Sequence, residues 1–446
     1  MDKHEYYSAI FPRLANSFDH ASWVLAQGPE LIRRGWDPDG LLVTVEPIGH
    51  LYDLSVKDGM EVFLPVIGKN KTVLAPIDFE IFLSHETWKI YADAKSQGYY
   101  HNVHIKPISD FFESLLQGFQ IPYLLDLTPS GGHILFHAEQ GTNAYRELAS
   151  IGWLEQELVE AYIYRDADDL KRSEPCGFEA GSVFSGIGRL WNYASLLAKE
   201  FFKDAELPIT ICDSEDKCVN IDNSWQADPA YMRILRSPYS LHRKNIHKHN
   251  MPGNPLCDVI KTHFDGQIAH TNEDLQQLVQ NMWDLEQAAI QSDQFSGHIP
   301  VANDSLIPLI RQYQQSKLYE FVSDFDRTPD LQTGEGLHRA RNDPRLSEKS
   351  RSVIEIPYPR MMQPNTIKKF VRNMTDIGWH PKHIACLMND LYTQPQHNWR
   401  TNWLKYTSRT RANYWARTYS AINLIEAGVP LVGINTDFKC QDSTSL

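Results

Sequence analysis

Two acidic residues, Asp78 and Glu80 in the apolar run VLAPIDFEIF, are the first whose spacing suggests chemistry. The run predicts a β-strand, in which side chains alternate between faces, so both carboxylates point one way and Ile77, Phe79 and Ile81 the other. Neighbouring carboxylates repel each other, and a divalent cation that prefers oxygen ligands, Mg²⁺ or Mn²⁺, removes that repulsion. Two solvated acids on an exposed sheet face would show the same pattern.

A third acid, Asp222, ends the alternating run CVNID at a second predicted strand edge. Three carboxylates are the minimum for phosphoryl transfer by two metal ions, which lie about 3.5–4 Å apart. The nearby acids of the SEDK segment are typical of a polar turn, and ITICDSEDKCVNID therefore predicts a hairpin. Sequence spacing alone does not show whether Asp222 meets Asp78.

A glycine pair interrupts two apolar runs in the segment Ser130-Gly131-Gly132-His133. Glycines let the backbone approach a ligand closely and can present N–H groups to a phosphate. His133 begins the next predicted strand and can donate to a phosphate oxygen. The alternative is a plain hairpin turn followed by a half-buried histidine.

Five basic residues lie within the segment YMRILRSPYSLHRKN: Arg233, Arg236, His242, Arg243 and Lys244. A strand followed by a Ser-Pro turn would aim Arg233 and Lys244 at one anionic site. Arginine binds phosphate through two parallel hydrogen bonds, and lysine adds a point charge. A solvated basic face is the alternative.

Taken in order, these four elements resemble the archaeo-eukaryotic primase superfamily, most closely its primase-polymerase branch. IDFEI matches the family's acid-x-acid strand with Asp78 and Glu80, and VNID matches its strand-end aspartate with Asp222. SGGH matches its Ser-x-His turn through His133, and the basic segment follows. The resemblance covers roughly residues 40 to 250.

One position departs from the family's second motif. The spacing here is Ser-x-x-His, so Gly131 stands where the family has its serine, unless a one-residue insertion moves Ser130 into that role.

The resemblance implies a DNA primase-polymerase, a nucleotidyltransferase that makes and extends primers from NTPs or dNTPs on a single-stranded DNA template and releases pyrophosphate. Asp78, Glu80 and Asp222 would hold two Mg²⁺ or Mn²⁺ ions and, with His133, form the catalytic set. The residues implied in nucleotide binding are Ser130, Gly131, Gly132, His133, Arg233, Arg236, His242 and Lys244. A helicase or another replication or defence protein is the further partner that the family suggests.

The periodicity of the chain predicts an α+β fold. Strand-like runs dominate from about residue 40 to 240, and helical spacing takes over after about residue 270. We expect a catalytic domain over 1–265, with a mainly antiparallel sheet of the RRM-like primase type implied by the resemblance. A helical connecting region over 266–335 and a basic all-α domain over 336–446 complete the prediction, with a polar linker near Thr333–Ser352.

The charge of the chain is unevenly distributed. The formal net charge is −13, but residues 339–420 hold fifteen Lys or Arg and five Asp or Glu, which makes +10 there and −23 elsewhere. In the same stretch aromatic and basic residues alternate, a composition suited to stacking on bases and contacting phosphates. The aromatic residues could equally be a helical core. The predicted nucleic-acid-binding residues are Arg400, Lys405, Arg409, Arg411 and Arg417.

Bulk features narrow the class further. Six cysteines at irregular spacing form no disulfide framework and no Cys-x-x-Cys pair, which disfavours zinc. No apolar run suggests a membrane span or a secretory signal, and we expect a cytoplasmic protein. Two other functions stay open: a non-catalytic nucleic-acid-binding replication or defence protein with a primase-like fold, and a metal-dependent nuclease.

Overall fold

Two β-sheets form the framework of the first 270 residues. The computed structural model describes residues 1–27, 43–82, 98–128, 130–154, 177–213, 217–227, 234–242, 258–264, 267–270, 275–355, 363–393 and 408–433. The strands are β1 (Trp23–Gln27), β2 (Val43–Pro47), β3 (Glu61–Pro65), β4 (Val73–Phe82), β5 (Tyr123–Thr128), β6 (Gly131–Ala138), β7 (Ile209–Ile211), β8 (Cys218–Ile221), β9 (Ile234–Arg236), β10 (Asp258–Phe264) and β11 (Gln267–His270).

The larger sheet has seven strands in the order β11-β10-β5-β6-β4-β8-β7, and the smaller has four in the order β2-β1-β3-β9. All pairs are antiparallel except β7 with β8, where Ile209 lies beside Val219 in a parallel register. The hairpin predicted for this segment is therefore wrong. An alternating apolar pattern marks a strand but not its direction, and left-handed backbone at Cys212 and Lys217 turns the chain at both ends of the connection.

Helices precede, separate and follow the strands. They are α1 (Lys3–Ser17), α2 (Lys106–Gly118), α3 (Asn143–Ile151), α4 (Phe178–Phe201), α5 (Leu275–Asn281), α6 (Leu285–Ser292), α7 (Ile307–Gln314), α8 (Lys317–Arg327), α9 (Glu335–Arg341), α10 (Glu348–Glu355), α11 (Pro364–Asp376), α12 (Pro381–Tyr392) and α13 (Ser408–Glu426). The predicted α+β class, with strands first and helices after, is confirmed.

The predicted linker near Thr333–Ser352 is wrong, because this polar stretch contains α9 and the start of α10. Leu337 and Ala340 of α9 are buried, so two apolar positions on one helical face outweigh the polar composition. Two further elements, α1 and β1, lie ahead of the region for which the sequence suggested strands.

One face of the larger sheet is covered by α2 and α4. Phe79 of β4 stacks against Phe112 of α2, and Phe136 of β6 meets Trp191 of α4 edge to face. The apolar half of the alternating pattern thus forms the core, and the acidic half of β4 is left on the opposite face.

The helices after β11 pack onto this framework. Tyr414 and Tyr419 of α13 are buried, and the Tyr419 hydroxyl donates to the Cys212 carbonyl at 2.8 Å, beyond the end of β7. The last helix and the edge of the larger sheet therefore share one core. Among the described residues no helix is both long and apolar enough to span a membrane.

Candidate active site

Two neighbouring inner strands, β4 and β8, bring the predicted carboxylates to one face of the larger sheet. Asp78 and Glu80 are partly exposed, while Ile77, Phe79 and Ile81 between them are buried, as alternation predicts. The half-exposed acids therefore lie on the face away from α2 and α4.

Asp222 lies beside Asp78, a proximity that the sequence could not establish. β8 pairs with β4 so that Ile221 is opposite Phe79, and the Asp222 backbone N–H donates to the Asp78 carbonyl at 2.8 Å. The Asp222 carboxylate accepts the Ser224 backbone N–H at 2.8 Å, which fixes its orientation where the strand ends. The three acids are thus neighbours across two strands.

His133 occupies the position directly opposite Asp78 on β6, and Asp126 on β5 is directly opposite His133. The His133 Nε2 lies 3.6 Å from an Asp78 oxygen, and its Nδ1 lies 3.1 Å from Asp126 Oδ1. Exposure of the three side chains falls from 31% at Asp78 through 8% at His133 to 0% at Asp126. Asp78, His133 and Asp126 thus form a row across three strands that runs from the exposed face of the sheet into the core.

The charge of this row is set by its two carboxylates. Burial alone would lower the pKa of His133, but the carboxylates of Asp126 and Asp78 outweigh burial and raise that pKa to about 9. His133 is therefore an imidazolium at neutral pH, able to donate a hydrogen bond to an anionic oxygen.

Asp126 is a site residue that the motif search missed. Its Oδ1 accepts the His133 backbone N–H at 3.1 Å as well as facing the His133 ring. The signal was present as a single acid inside the otherwise apolar strand YLLDLT, since a buried charge requires a partner.

The glycine pair has a packing role in this structure. Gly131 and Gly132 are the first residues of β6, held between β4 and β5, and the strand begins two residues before the predicted start at His133. A Cβ atom on Gly131 would lie 1.8 Å from the Phe79 carbonyl oxygen. The Ser130 carbonyl accepts the Ile81 N–H at 2.8 Å, which extends the ladder with β4. These contacts are consistent with the alternative, a plain hairpin turn, and the predicted nucleotide-binding role of Ser130, Gly131 and Gly132 stays a prediction.

Of the predicted basic segment, the structure describes Arg236 and His242, while Arg233, Arg243 and Lys244 lie outside the described residues. Arg236 on β9 is near enough to His133 for its charge to oppose protonation of the imidazole. It also pairs with Glu61 at 3.3 Å and lies 5.2 Å from the centroid of the Phe63 ring. His242 is buried just after the turn that follows β9.

The three carboxylates suit a hard divalent cation in ligand type. In the part of the chain that the structure describes, no group of three or more His, Cys, Asp or Glu side chains is already arranged around one metal position. Glu80 and Asp222 make no ion pair with any described residue, so their negative charge is left for a cation. The metal site therefore stays a prediction, and the oxygen donors of these three residues fit the chemistry of such an ion.

The residues predicted to bind nucleic acid fall into two groups, those outside the described part of the chain and those on α13. Arg400 and Lys405 lie outside the described residues, and Arg409 pairs with Asp330. Arg411 is half-buried on α13, and Arg417 lies 5.7 Å over the Phe325 ring.

The aromatic residues of this stretch that the structure describes belong to the core. Tyr414, Trp415 and Tyr419 are all buried, and Trp415 stacks on Tyr419. This confirms the helical-core alternative for these three residues. Trp399, Trp403 and Tyr406 lie outside the described part of the chain.

Comparison of the chain with protein-family models, with curated proteins and with solved structures gives no match. The primase resemblance therefore depends on the residues themselves and on how the fold arranges them.

Proposed function

We propose that the protein is a DNA primase-polymerase that transfers nucleotides from NTPs or dNTPs onto a template-paired 3′ hydroxyl. The observation that carries the proposal is that the three motif acids lie on two paired strands of one sheet. Asp222, 142 residues after Glu80, hydrogen-bonds through its backbone to Asp78, and His133 stands opposite Asp78. Three motifs that are far apart in the chain thus lie on neighbouring strands.

The order of the central strands supports the RRM-like part of the proposal. From β4 the chain runs through α2, β5, β6, the helices α3 and α4, the short edge strand β7 and then β8; without β7, the strands lie in the order β5-β6-β4-β8. Renumbered from β4, this is a β-α-β-β-α-β unit with strand order 2-3-1-4, and both Phe112 of α2 and Trp191 of α4 pack on one face. The face of such a sheet that lies away from the helices is open. Its two inner strands are here β4, which carries Asp78, and β6, which carries His133.

Asp78, Glu80 and Asp222 are the residues that would hold the divalent ions. When bound, such ions lower the pKa of an attacking hydroxyl and neutralise charge on the transferring phosphoryl group. The chain's own contribution is to hold three oxygen donors on two hydrogen-bonded strands, where their spacing is fixed before substrate arrives.

His133 and Arg236 supply positive charge next to these acids. As an imidazolium, His133 can donate to a phosphate oxygen, and the buried Asp126 keeps it charged and oriented. Arg236 lies on the other sheet and is positioned by Glu61. By the resemblance, Arg233 and Lys244 complete the triphosphate-binding set.

A single assay separates this function from its competitors. The full chain is incubated with single-stranded template, nucleotides and Mg²⁺ or Mn²⁺, with and without an annealed primer. We expect product on the primed template and, for a primase, on the unprimed one as well. A shortened template instead identifies a nuclease, and DNA binding with no product identifies a non-catalytic binder.

A further inference from the structure

A second cluster of buried charge lies where α4 meets α8 and α13. Arg189 of α4 makes two parallel contacts with Asp326 of α8, at 2.5 and 3.2 Å, and the Arg189 side chain is only 4% exposed. Arg417 of α13 is close enough that its charge and that of Arg189 act on each other. Three helices therefore contribute two guanidinium groups and one carboxylate to the same place.

The cluster has more positive than negative charge. Within the described residues Arg417 makes no hydrogen bond and no ion pair, and its guanidinium instead lies over the Phe325 ring at 5.7 Å. Burial, followed by the charge of Arg189, lowers the pKa of Arg417 to about 10, which still leaves the group charged at neutral pH. Asp326 neutralises one of the two arginines, and one positive charge remains.

A small cavity adjoins this uncompensated charge. Its lining includes Arg189, Asn192, Tyr313, Arg417 and Thr418 together with apolar side chains, and about 20 Å³ is open to the centre of a water-sized sphere. That space is enough for one water or one ion of similar size, since about 10–15 Å³ suffices for a water. A phosphate group, with four oxygens, requires more room.

Two hydroxyl groups in this lining lack partners. Tyr313 is fully buried and Thr418 is 6% exposed, and neither Tyr313 Oη nor Thr418 Oγ1 has a hydrogen-bond partner among the described residues. Buried polar groups are nearly always hydrogen-bonded, because leaving one unsatisfied costs about 1–3 kcal/mol. Both hydroxyls can donate, as can the guanidinium groups, so the lining presents several hydrogen-bond donors to the cavity.

We propose that this cavity binds one small monovalent anion of about chloride size, held by Arg417 and Arg189 and by the Tyr313 and Thr418 hydroxyls. The anion satisfies the excess charge and both hydroxyl donors at once, which a neutral water does only in part. Because its ligands come from α4, α7 and α13, the bound ion ties the last helix to the sheet-bearing half. The proposal is independent of the nucleotidyl-transfer function.

The test measures the thermal unfolding of the full chain as sodium chloride replaces sodium gluconate at constant ionic strength. We expect the wild-type midpoint to rise with chloride, by about 1.5 °C for each tenfold increase above the dissociation constant. Bromide should act in the same way, and crystals grown in bromide should show an anomalous peak between Arg417 and Thr418. A midpoint that does not depend on chloride, or a bromide-free cavity, would overturn the proposal.

Three variants identify the ligands. Arg417→Gln should abolish the chloride dependence, while Arg411→Gln, six residues earlier on the same helix, should retain it. Thr418→Val keeps the volume and the charge: in gluconate it should be as stable as the wild type or more so, since a buried unpaired hydroxyl is removed. In chloride that advantage should disappear. Equal chloride responses in Arg417→Gln, Thr418→Val and the wild type would contradict the assignment.

Discussion

The substitution Gly131→Ala tests whether the glycine pair serves strand packing or phosphate binding. A Cβ at Gly131 would lie 1.8 Å from the Phe79 carbonyl oxygen and 2.8 Å from the Glu80 Cα, both backbone atoms that cannot move aside. Ordinary contact begins near 3.4 Å, so β4 and β6 must separate by more than 1 Å. That movement breaks the 2.8 Å hydrogen bond between Ile81 N–H and the Ser130 carbonyl.

The expected cost follows from these contacts. Overpacking of a fitted interior costs about 1–3 kcal/mol, and a buried backbone group left unpaired about 1–3 kcal/mol more. The lower chain entropy of unfolded alanine returns only about 0.4–1 kcal/mol. We therefore expect Gly131→Ala to lower the free energy of unfolding by about 1–5 kcal/mol.

Urea unfolding measures this loss, and Gly49→Ala is the matched control. Gly49 has no atom within 4 Å of its Cβ position and no left-handed backbone, so alanine there should change stability by less than about 1 kcal/mol. A Gly131→Ala protein that is as stable as the wild type but has a raised KM for nucleotide would refute the packing explanation and favour a phosphate-binding turn.

Three other outcomes test the surroundings of the site. Because the folded pKa of His133, about 9, exceeds the unfolded value near 6.5, its charge stabilises the fold below pH 6.5, and this contribution is lost as the pH rises through 9. In urea unfolding without divalent ions we expect the free energy of unfolding to fall by about 3 kcal/mol over that pH range in the wild type and by less in Asp126→Asn. Parallel pH profiles of the two proteins would contradict this electrostatic explanation. Tyr419→Phe removes a buried hydrogen bond between α13 and the sheet edge and should cost about 1–3 kcal/mol in thermal unfolding, so an unchanged midpoint would show that this bond adds nothing. Lys368→Gln removes the ion pair that Lys368 makes with the buried Asp213 carboxylate and should lower the free energy of unfolding by about 1–3 kcal/mol. Lys369→Gln on the exposed side of α11 should change it by no more than about 0.5 kcal/mol, and similar stabilities of the two variants would rule out a structural role for Lys368.

Local pattern predicted the orientation of the site residues. The alternation in VLAPIDFEIF correctly placed Asp78 and Glu80 on one face, because a strand has a period of two. Strand order is a long-range property, so the contact between Asp222 and Asp78 became visible only with the fold. The same limit explains the parallel pairing of β7 with β8, since periodicity does not specify direction.

The charge counted over residues 339–420 overstates the net positive charge of the helices in that region. Several cations between residues 339 and 420 pair with acids just outside that window or far from it in sequence: Lys368 with Asp213, Arg372 with Glu426, and Lys382 and Arg409 with Asp330. Much of the apparent +10 is therefore neutralised within the fold. A nucleic-acid surface here stays a prediction, and two of its residues, Arg400 and Lys405, lie outside the described part of the chain.

The central claim is that Asp78 belongs to the catalytic centre of a nucleotidyltransferase. The most direct measurement compares nucleotide incorporation by the wild type, Asp78→Asn and the control Asp53→Asn with Mg²⁺ or Mn²⁺, alongside binding of the same primed DNA. The Asp53 side chain is about half exposed and, within the described residues, its ion pair is with the surface residue Lys57, so its loss should leave activity intact. We expect the wild type and Asp53→Asn to extend the primer, and Asp78→Asn to bind DNA with nearly unchanged affinity but to incorporate no nucleotide. Incorporation by Asp78→Asn at the wild-type rate would contradict the account.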